Sequence, residues 1–146
     1  MNTRLRNMTS VYLVRENEVL CLYRMGSRVA NNKYIGSAGG HFEPEELNLS
    51  ETDVEGLTLR YITHRLTGGE IRQNYYFFGR LKAERPLEST EGILHWIPFE
   101  DVPALEMPVS AKHMILHYLR EGRFTDRIYC GITEENGTNF VAMEEF

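Results

Sequence analysis

Short apolar runs and stretches rich in β-branched and aromatic residues, separated by polar or glycine-containing segments, recur along most of the chain and predict a protein built mainly of β-strands. Two long runs rich in β-branched and aromatic residues, 54–66 and 70–81, flank Thr67-Gly68-Gly69 and predict a hairpin. The same signals predict a hairpin near each end of the chain and two single strands between them. The predicted ranges are 8–14 with 19–24, 34–40, 93–98, and 127–132 with 139–143 around Glu135-Asn136-Gly137.

One segment has helical periodicity instead. Its apolar residues recur so that they share one face of a helix from Ser110 to about Glu121, with Ser110 as the N-cap and Gly122 just past the end. Together with the strands, this helix predicts an α+β fold with a mixed, largely antiparallel sheet flanked by helices. We expect a single domain spanning residues 1–146. The apolar residues on that helix face are Met114, Ile115, Tyr118 and Leu119.

The composition and net charge of the chain limit the kinds of molecule that we expect it to bind. The 146 residues are 42% hydrophobic, enough for an ordinary core, and carry a net charge of −5. An acidic chain gains nothing from non-specific attraction to nucleic acid or to an anionic membrane. No apolar run is long enough for a signal peptide or a membrane span. The two cysteines, Cys21 and Cys130, lack the spacing of a zinc site or a disulfide framework. We therefore expect a cytoplasmic protein with reduced thiols that binds neither nucleic acid nor membranes.

The segment with the clearest chemistry is Gly39-Gly40-His41-Phe42-Glu43-Pro44-Glu45-Glu46. Three carboxylates within four positions can hold a hard cation such as Mg²⁺ or Mn²⁺, and a glycine turn lets a phosphate approach the ion. The alternative is a solvated acidic turn, which composition alone favours.

This segment resembles the opening of the Nudix box, the signature of the Nudix hydrolases, with Gly40 and Glu46 at the positions of its glycine and first glutamate. The resemblance extends over residues 8–119. It implies a Nudix-like sheet and metal-dependent hydrolysis of pyrophosphate bonds in nucleoside triphosphates or related diphosphates. It also implies Mg²⁺ or Mn²⁺ held at its edge by the Gly40 backbone, Glu43 and Glu46. Because family members often dimerise, a homodimer is one expected state.

The second half of the Nudix box is not found at the expected positions after Glu46. Counted forward, its Arg-Glu-…-Glu-Glu-…-Gly pattern agrees only at Glu55, and Gly56 with the β-rich run around it disfavours a helix there. A better register places Leu49 at the end of the box and leaves thirteen residues missing after Asn48. Those residues would form roughly 20 Å of catalytic helix. Either the sequence omits residues that the natural chain carries, or the deletion is real. A real deletion favours a catalytically inactive domain that binds a nucleotide or a protein, and a purely structural domain is the third alternative.

Other charged residues are candidates for catalysis or for substrate binding by the same resemblance. Glu91 lies in a loop where Nudix enzymes often carry a further acid, and we expect it to act as the catalytic base; the alternative is an exposed loop glutamate. Four cations are candidates for contacts to substrate phosphates, although each alone is more often a surface charge. These cations are Arg28, Lys33, His41 and Arg72.

The aromatic and histidine residues point less clearly to a functional site. Residues 75–78 (Tyr-Tyr-Phe-Phe) alternate faces of a strand, so two of them enter the core and two could line a base-binding pocket. His113 and His117 have the i, i+4 spacing of a zinc pair, but no glutamate motif surrounds them, and we do not expect a zinc site.

Overall fold

The computed structural model describes residues 3–24, 33–39, 51–82, 89 and 92–146, which form nine strands and one α-helix. Short 3-10 segments, Glu51–Asp53, Phe99–Ala104 and Gly122–Phe124, connect some of these elements. The elements are β1 Arg4–Arg15, β2 Glu18–Arg24, β3 Lys33–Gly36, β4 Ala38–Gly39, β5 Val54–Thr67, β6 Glu70–Leu81, β7 Ile93–Pro98, α1 Val109–Arg120, β8 Tyr129–Glu134 and β9 Gly137–Ala142.

All nine strands belong to one sheet. Its main path is β3-β2-β1-β6-β5-β8-β9, while β4 pairs with β1 and β7 pairs with β2. The pairs β1–β6 and β5–β8 are parallel and the other pairs are antiparallel. With α1 on one face, this sheet confirms the predicted α+β class and its mixed, largely antiparallel character.

The central hairpin, β5–β6, follows from its turn residues. Thr67 pairs with Glu70 across a two-residue loop, Gly68-Gly69, in which φ is +58° and +71°. Two consecutive left-handed residues match the right-handed twist of the flanking strands, and glycine adopts them without steric cost. The hairpin is therefore confirmed at the predicted position.

The core has two parts, one on each face of the sheet. On one face, α1 packs Met114, Ile115 and Tyr118 against aromatic residues of the strands, and the Tyr118 ring stacks 4.0 Å from that of Phe78. The opposite face has a smaller cluster of four buried aliphatic side chains. These are Val11, Leu13, Leu20 and Leu81. We call the two sides the α1 face and the opposite face.

Several predicted boundaries are wrong. β1 begins at Arg4, four residues before its predicted start, and the strand predicted from Tyr34 is divided at Ser37 into β3 and β4. The N-cap of α1 is Pro108 and not Ser110, because the helix begins at Val109 and places Ser110 in its first turn. The Ser110 hydroxyl donates instead to Oγ1 of Thr133, 3.1 Å away. The last hairpin turns at Glu135-Asn136, so β8 reaches two residues further and β9 starts two residues earlier than predicted.

Candidate functional site

The start of the predicted box is fixed by the buried hydroxyl of Ser37, between β3 and β4. Its Oγ accepts a hydrogen bond from the Leu13 N–H (3.1 Å) and donates one to the Leu20 carbonyl oxygen (2.5 Å). Here β1 and β2 separate, since β3 continues along β2 and β4 along β1. A Cβ on Gly36 would lie 2.7 Å from the Val11 carbonyl oxygen, so only glycine fits this close approach. The residues just before the predicted box, Gly36 and Ser37, are therefore held firmly against β1 and β2.

Most predicted site residues lie outside the described residues, so their arrangement stays a prediction. Within the ranges that are described, no group of three or more His, Cys, Asp or Glu side chains is placed to hold a metal ion. The predicted metal site therefore depends on the acidic segment itself. The predicted residues outside the described ranges are Arg28, Gly40, His41, Glu43, Glu46 and Glu91.

The far end of the box segment returns to the sheet at β5. The carbonyl oxygen of Asp53 accepts a hydrogen bond from Lys82 N (2.8 Å), and Val54 pairs with Leu81. Positions 54–61, where an uninterrupted box would carry its Glu-Glu pair, are part of this strand. The expectation that no helix forms there is confirmed, and Glu55 lies on β5, where it pairs with Arg80.

Two of the predicted phosphate-binding cations are described, and the strand register places both toward the end of the sheet at which β1 begins. Lys33 begins β3 and pairs with Arg24 at the end of β2. Arg72 lies near the β5–β6 turn, one strand beyond β1. Gly39 pairs with Ser10 of β1, and from there β4 runs toward the end of β1 that pairs with Arg72. Because β2 runs antiparallel to β1, Lys33 and Arg72 both lie at the end of the sheet toward which β4 runs.

Arg72 is the middle member of a row of three arginines. Arg6 of β1 and Arg65 of β5 are its register partners, so the three side chains leave the α1 face from adjacent strands roughly 5 Å apart. Nε of Arg72 lies 3.0 Å from Oε1 of Glu70, whose other oxygen is 3.8 Å from Arg4. Among the described residues Arg6 and Arg65 have no ion pair. We call Arg6, Arg65 and Arg72 the arginine row.

The arginine row can do specific chemistry. Adjacent like charges on a sheet repel one another, and a bound polyanion would relieve this repulsion. Guanidinium groups also match phosphate oxygens through paired N–H donors. A positive row in an otherwise acidic chain is therefore suited to a phosphate-containing ligand.

Sequence reasoning selected Arg72 but missed Arg6 and Arg65. Part of the signal was present, because Arg65 and Arg72 are equally distant from Gly68-Gly69 and a two-residue turn places them opposite each other. Arg6 joins them only through the parallel β1–β6 pairing, which no local pattern reveals.

The aromatic run on β6 serves mainly the core. Tyr76 and Phe78 are buried on the α1 face at 3% and 4% exposure. On the opposite face, Phe77 packs against the small aliphatic cluster, and the Tyr75 hydroxyl donates to Oε1 of Gln73 (3.0 Å). Core packing therefore accounts for three of the four residues, namely Tyr76, Phe77 and Phe78.

The histidines of α1 make structural hydrogen bonds. Nδ1 of His117 lies 2.7 Å from the Tyr61 hydroxyl, and its Nε2 is 3.2 Å from Glu121. Burial lowers the pKa of His117, an effect that Glu121 partly opposes. His113 pairs with Thr138 through Nδ1 (2.9 Å). The two rings are thus engaged with different partners.

Comparison with known proteins identifies the fold. No family model and no curated protein matches the sequence. A mutator MutT protein from Bacillus halodurans is 20% identical, with 94% of this chain and 97% of that chain covered and a TM-score of 0.58. A NUDIX hydrolase from Nitrosomonas europaea is 15% identical, with 91% and 81% covered and a TM-score of 0.57. The Escherichia coli dihydroneopterin triphosphate pyrophosphohydrolase is 17% identical, with 82% and 99% covered and a TM-score of 0.56.

The chain therefore has the fold of the Nudix hydrolases, which confirms the resemblance first drawn from the glycine–glutamate segment. At these identities the likeness concerns the fold alone. In the described part of the chain, no helix is long and apolar enough to cross a membrane.

Proposed function

We propose that this protein is a Nudix-type hydrolase that cleaves a pyrophosphate bond in a nucleoside triphosphate or a related diphosphate. The observation that carries the proposal is the coincidence of fold and motif. β4 of the Nudix-like sheet ends at Gly39, the first residue of the Gly39–Glu46 motif, and Ser37 just before β4 bonds to both β1 and β2. The arginine row adds support, since guanidinium groups bind phosphate oxygens and the row lies at the end of the sheet toward which β4 runs.

The proposed cofactor is Mg²⁺ or Mn²⁺, held by carboxylates of the acidic segment. Glu43 and Glu46 are the proposed protein ligands, with the backbone of Gly40 beside them and Glu91 as the proposed base. Carboxylate oxygens suit both ions, and an ion bound there would neutralise charge on the diphosphate. The protein's own contribution is then to bind and orient the phosphates through the arginine row and the remaining proposed cations.

The alternative is a Nudix-fold module that binds a nucleotide or a protein without turnover. It is favoured by one observation, namely that β5 already occupies positions 54–61. Only the eleven residues 40–50 remain between β4 and the 3-10 segment that begins at Glu51, whereas the box needs its catalytic helix there. Under this alternative the arginine row and the acidic segment bind ligand, and no hydrolysis follows.

Two measurements test the proposal. The first is pyrophosphate and phosphate release from nucleoside triphosphates by the full chain, with Mg²⁺ and with a chelator. We expect metal-dependent turnover that Glu46→Gln lowers by about 10²-fold, whereas Glu134→Gln, a substitution at the exposed end of β8, leaves it unchanged. Nucleotide binding without turnover supports the alternative, and the absence of both contradicts the two proposals together.

The second measurement is the intact mass of the protein isolated from its source. A mass above 17.0 kDa by thirteen residues would restore the catalytic helix and favour the hydrolase. A mass equal to that of the present sequence would favour the binding module.

A further inference from the structure

A thiol and an imidazole meet on the opposite face of the sheet, away from α1 and the arginine row. Sγ of Cys130 on β8 lies 3.5 Å from Nε2 of His64 on β5. The other ring nitrogen of His64 lies 3.3 Å from Nε2 of Gln73 on β6, and Oε1 of Gln73 accepts a hydrogen bond from the Tyr75 hydroxyl (3.0 Å). We call these four residues the thiol relay.

Strand register brings the thiol relay together. His64 is the direct partner of Gln73 in the β5–β6 hairpin, so their side chains leave the same face. Ile62 pairs with Cys130 in the parallel β5–β8 pair, which places Cys130 diagonally across from His64. The residues thus come from three adjacent strands of a rigid sheet, and no loop conformation is needed to form the contact.

The relay can carry a proton toward and away from sulfur. When Gln73 donates to Nδ1, the neutral ring carries its hydrogen on Nε2 and directs it at Sγ. A half-turn of the Gln73 amide lets its oxygen accept from an Nδ1–H instead, and Nε2 is then free to take the thiol proton. Tyr75 retains its hydrogen bond in both arrangements, because a hydroxyl both donates and accepts.

We propose that Cys130 is a nucleophilic thiol, with His64 as its base and Gln73 as the residue that positions the ring, and that it undergoes exchange with low-molecular-weight disulfides. The thiol proton moves to Nε2 of His64, and the sulfur electron pair attacks one sulfur of the disulfide. A mixed disulfide with Cys130 forms as the original S–S bond breaks. The departing thiolate takes the proton from the imidazolium.

The surroundings of the relay favour this chemistry. Cys130 and His64 are both partly exposed, and their register partners Val141 and Ile132 are 59% and 65% exposed, so small apolar reagents reach the sulfur. On this face of β1, β5, β6, β8 and β9, the charged side chains outside the relay are Arg15, at the end of β1 over the Trp96 ring, and Glu134, at the far end of β8.

The second cysteine provides an internal comparison. Cys21 is 0% exposed, and burial raises the pKa of its thiol to about 12. It has the opposite environment to that of Cys130, because it lies within the core under α1. In the folded protein Cys21 is expected to be inert toward disulfides.

The test is the rate of thiol exchange with dithiodipyridine, a small disulfide whose released thiopyridone absorbs light. We expect one thiol per folded chain to react, and Cys130→Ser to abolish that reaction, whereas the second thiol reacts only after denaturation. His64→Gln should slow exchange about fivefold at neutral pH and less at alkaline pH, where hydroxide removes the thiol proton without a base residue. Gln73→Ala should have a smaller effect in the same direction.

His113→Gln is the matched control, since it removes a histidine from α1 on the other side of the sheet and should leave the rate unchanged. Equal rates and equal pH profiles for wild type and His64→Gln would overturn the proposal. If His64→Gln does not fold, the wild type decides the question alone. Its exchange at mildly acidic pH must exceed that of an unstructured cysteine peptide, and an equal or slower rate would refute the activation of Cys130.

Discussion

Ser37 provides the sharpest test of how the start of the candidate site is held. Ser37→Ala removes an oxygen that serves two backbone groups of different strands, the N–H of Leu13 and the carbonyl of Leu20. Leu13 and Leu20 are themselves 0% and 1% exposed, so water cannot replace the lost partner without disturbing the sheet.

The magnitude follows from these two bonds. Each intramolecular hydrogen bond contributes about 1 kcal/mol net, and a buried N–H left without a partner costs roughly 1–3 kcal/mol. We therefore expect Ser37→Ala to lower the free energy of unfolding by about 3 kcal/mol, which corresponds to a fall in Tm of roughly 6–12 °C for a chain of this size.

The assay is urea unfolding followed by tryptophan fluorescence, with Ser110→Ala as the control. Ser110 is also buried, at 6% exposure, but its hydroxyl donates only to Thr133, and Thr133 keeps a second hydrogen bond from Thr138. The control should lose about 1 kcal/mol. A loss below 1 kcal/mol for Ser37→Ala, or equal losses for both variants, would refute the bridging role of Ser37.

Three further predictions concern other parts of the molecule. Gly122→Ala should destabilise the protein by about 2 kcal/mol in the same assay, because its methyl group would collide with the Tyr61 hydroxyl. The free energy of unfolding should fall as pH decreases below the ordinary histidine pKa. The reason is that burial lowers the pKa of His117 and His113 in the folded state, so the unfolded state binds protons first. His117→Gln should flatten that pH dependence, and an unchanged slope would contradict the assignment. Arg65→Gln should raise Tm slightly at low ionic strength and not at high salt, since it removes one like charge from the arginine row.

The parts of the fold that could be predicted from sequence are those determined by neighbouring residues. Thr67-Gly68-Gly69 defines a turn by itself, and the β-branched runs beside it specify two strands, so this hairpin was found correctly. The helix was also found, but its cap was assigned wrongly, because Ser110 bonds to Thr133, a residue on a distant strand.

The candidate site was harder to predict for the same physical reason. The arginine row and the thiol relay both depend on parallel pairing, of β1 with β6 and of β5 with β8, and residues joined in this way are far apart in the chain. Sequence analysis singled out Arg72 and Cys130, but it could not show that Arg6 lies beside Arg72 or that His64 lies beside Cys130. Only the glycine–glutamate segment, whose chemistry is contiguous in sequence, could be recognised directly.

The parallel pairing of β1 with β6 also bears on the order of folding. Arg4 pairs with Glu70 and Val14 with Arg80, so each residue of the first long strand pairs with one 66 positions further along the chain. Pairing across such a distance closes a large loop and is slow compared with a hairpin that closes locally. We therefore expect the β5–β6 hairpin to form first and to serve as the template on which β1 docks. During synthesis β1 leaves the ribosome long before this template, and its unpaired edge is then open to association with other chains.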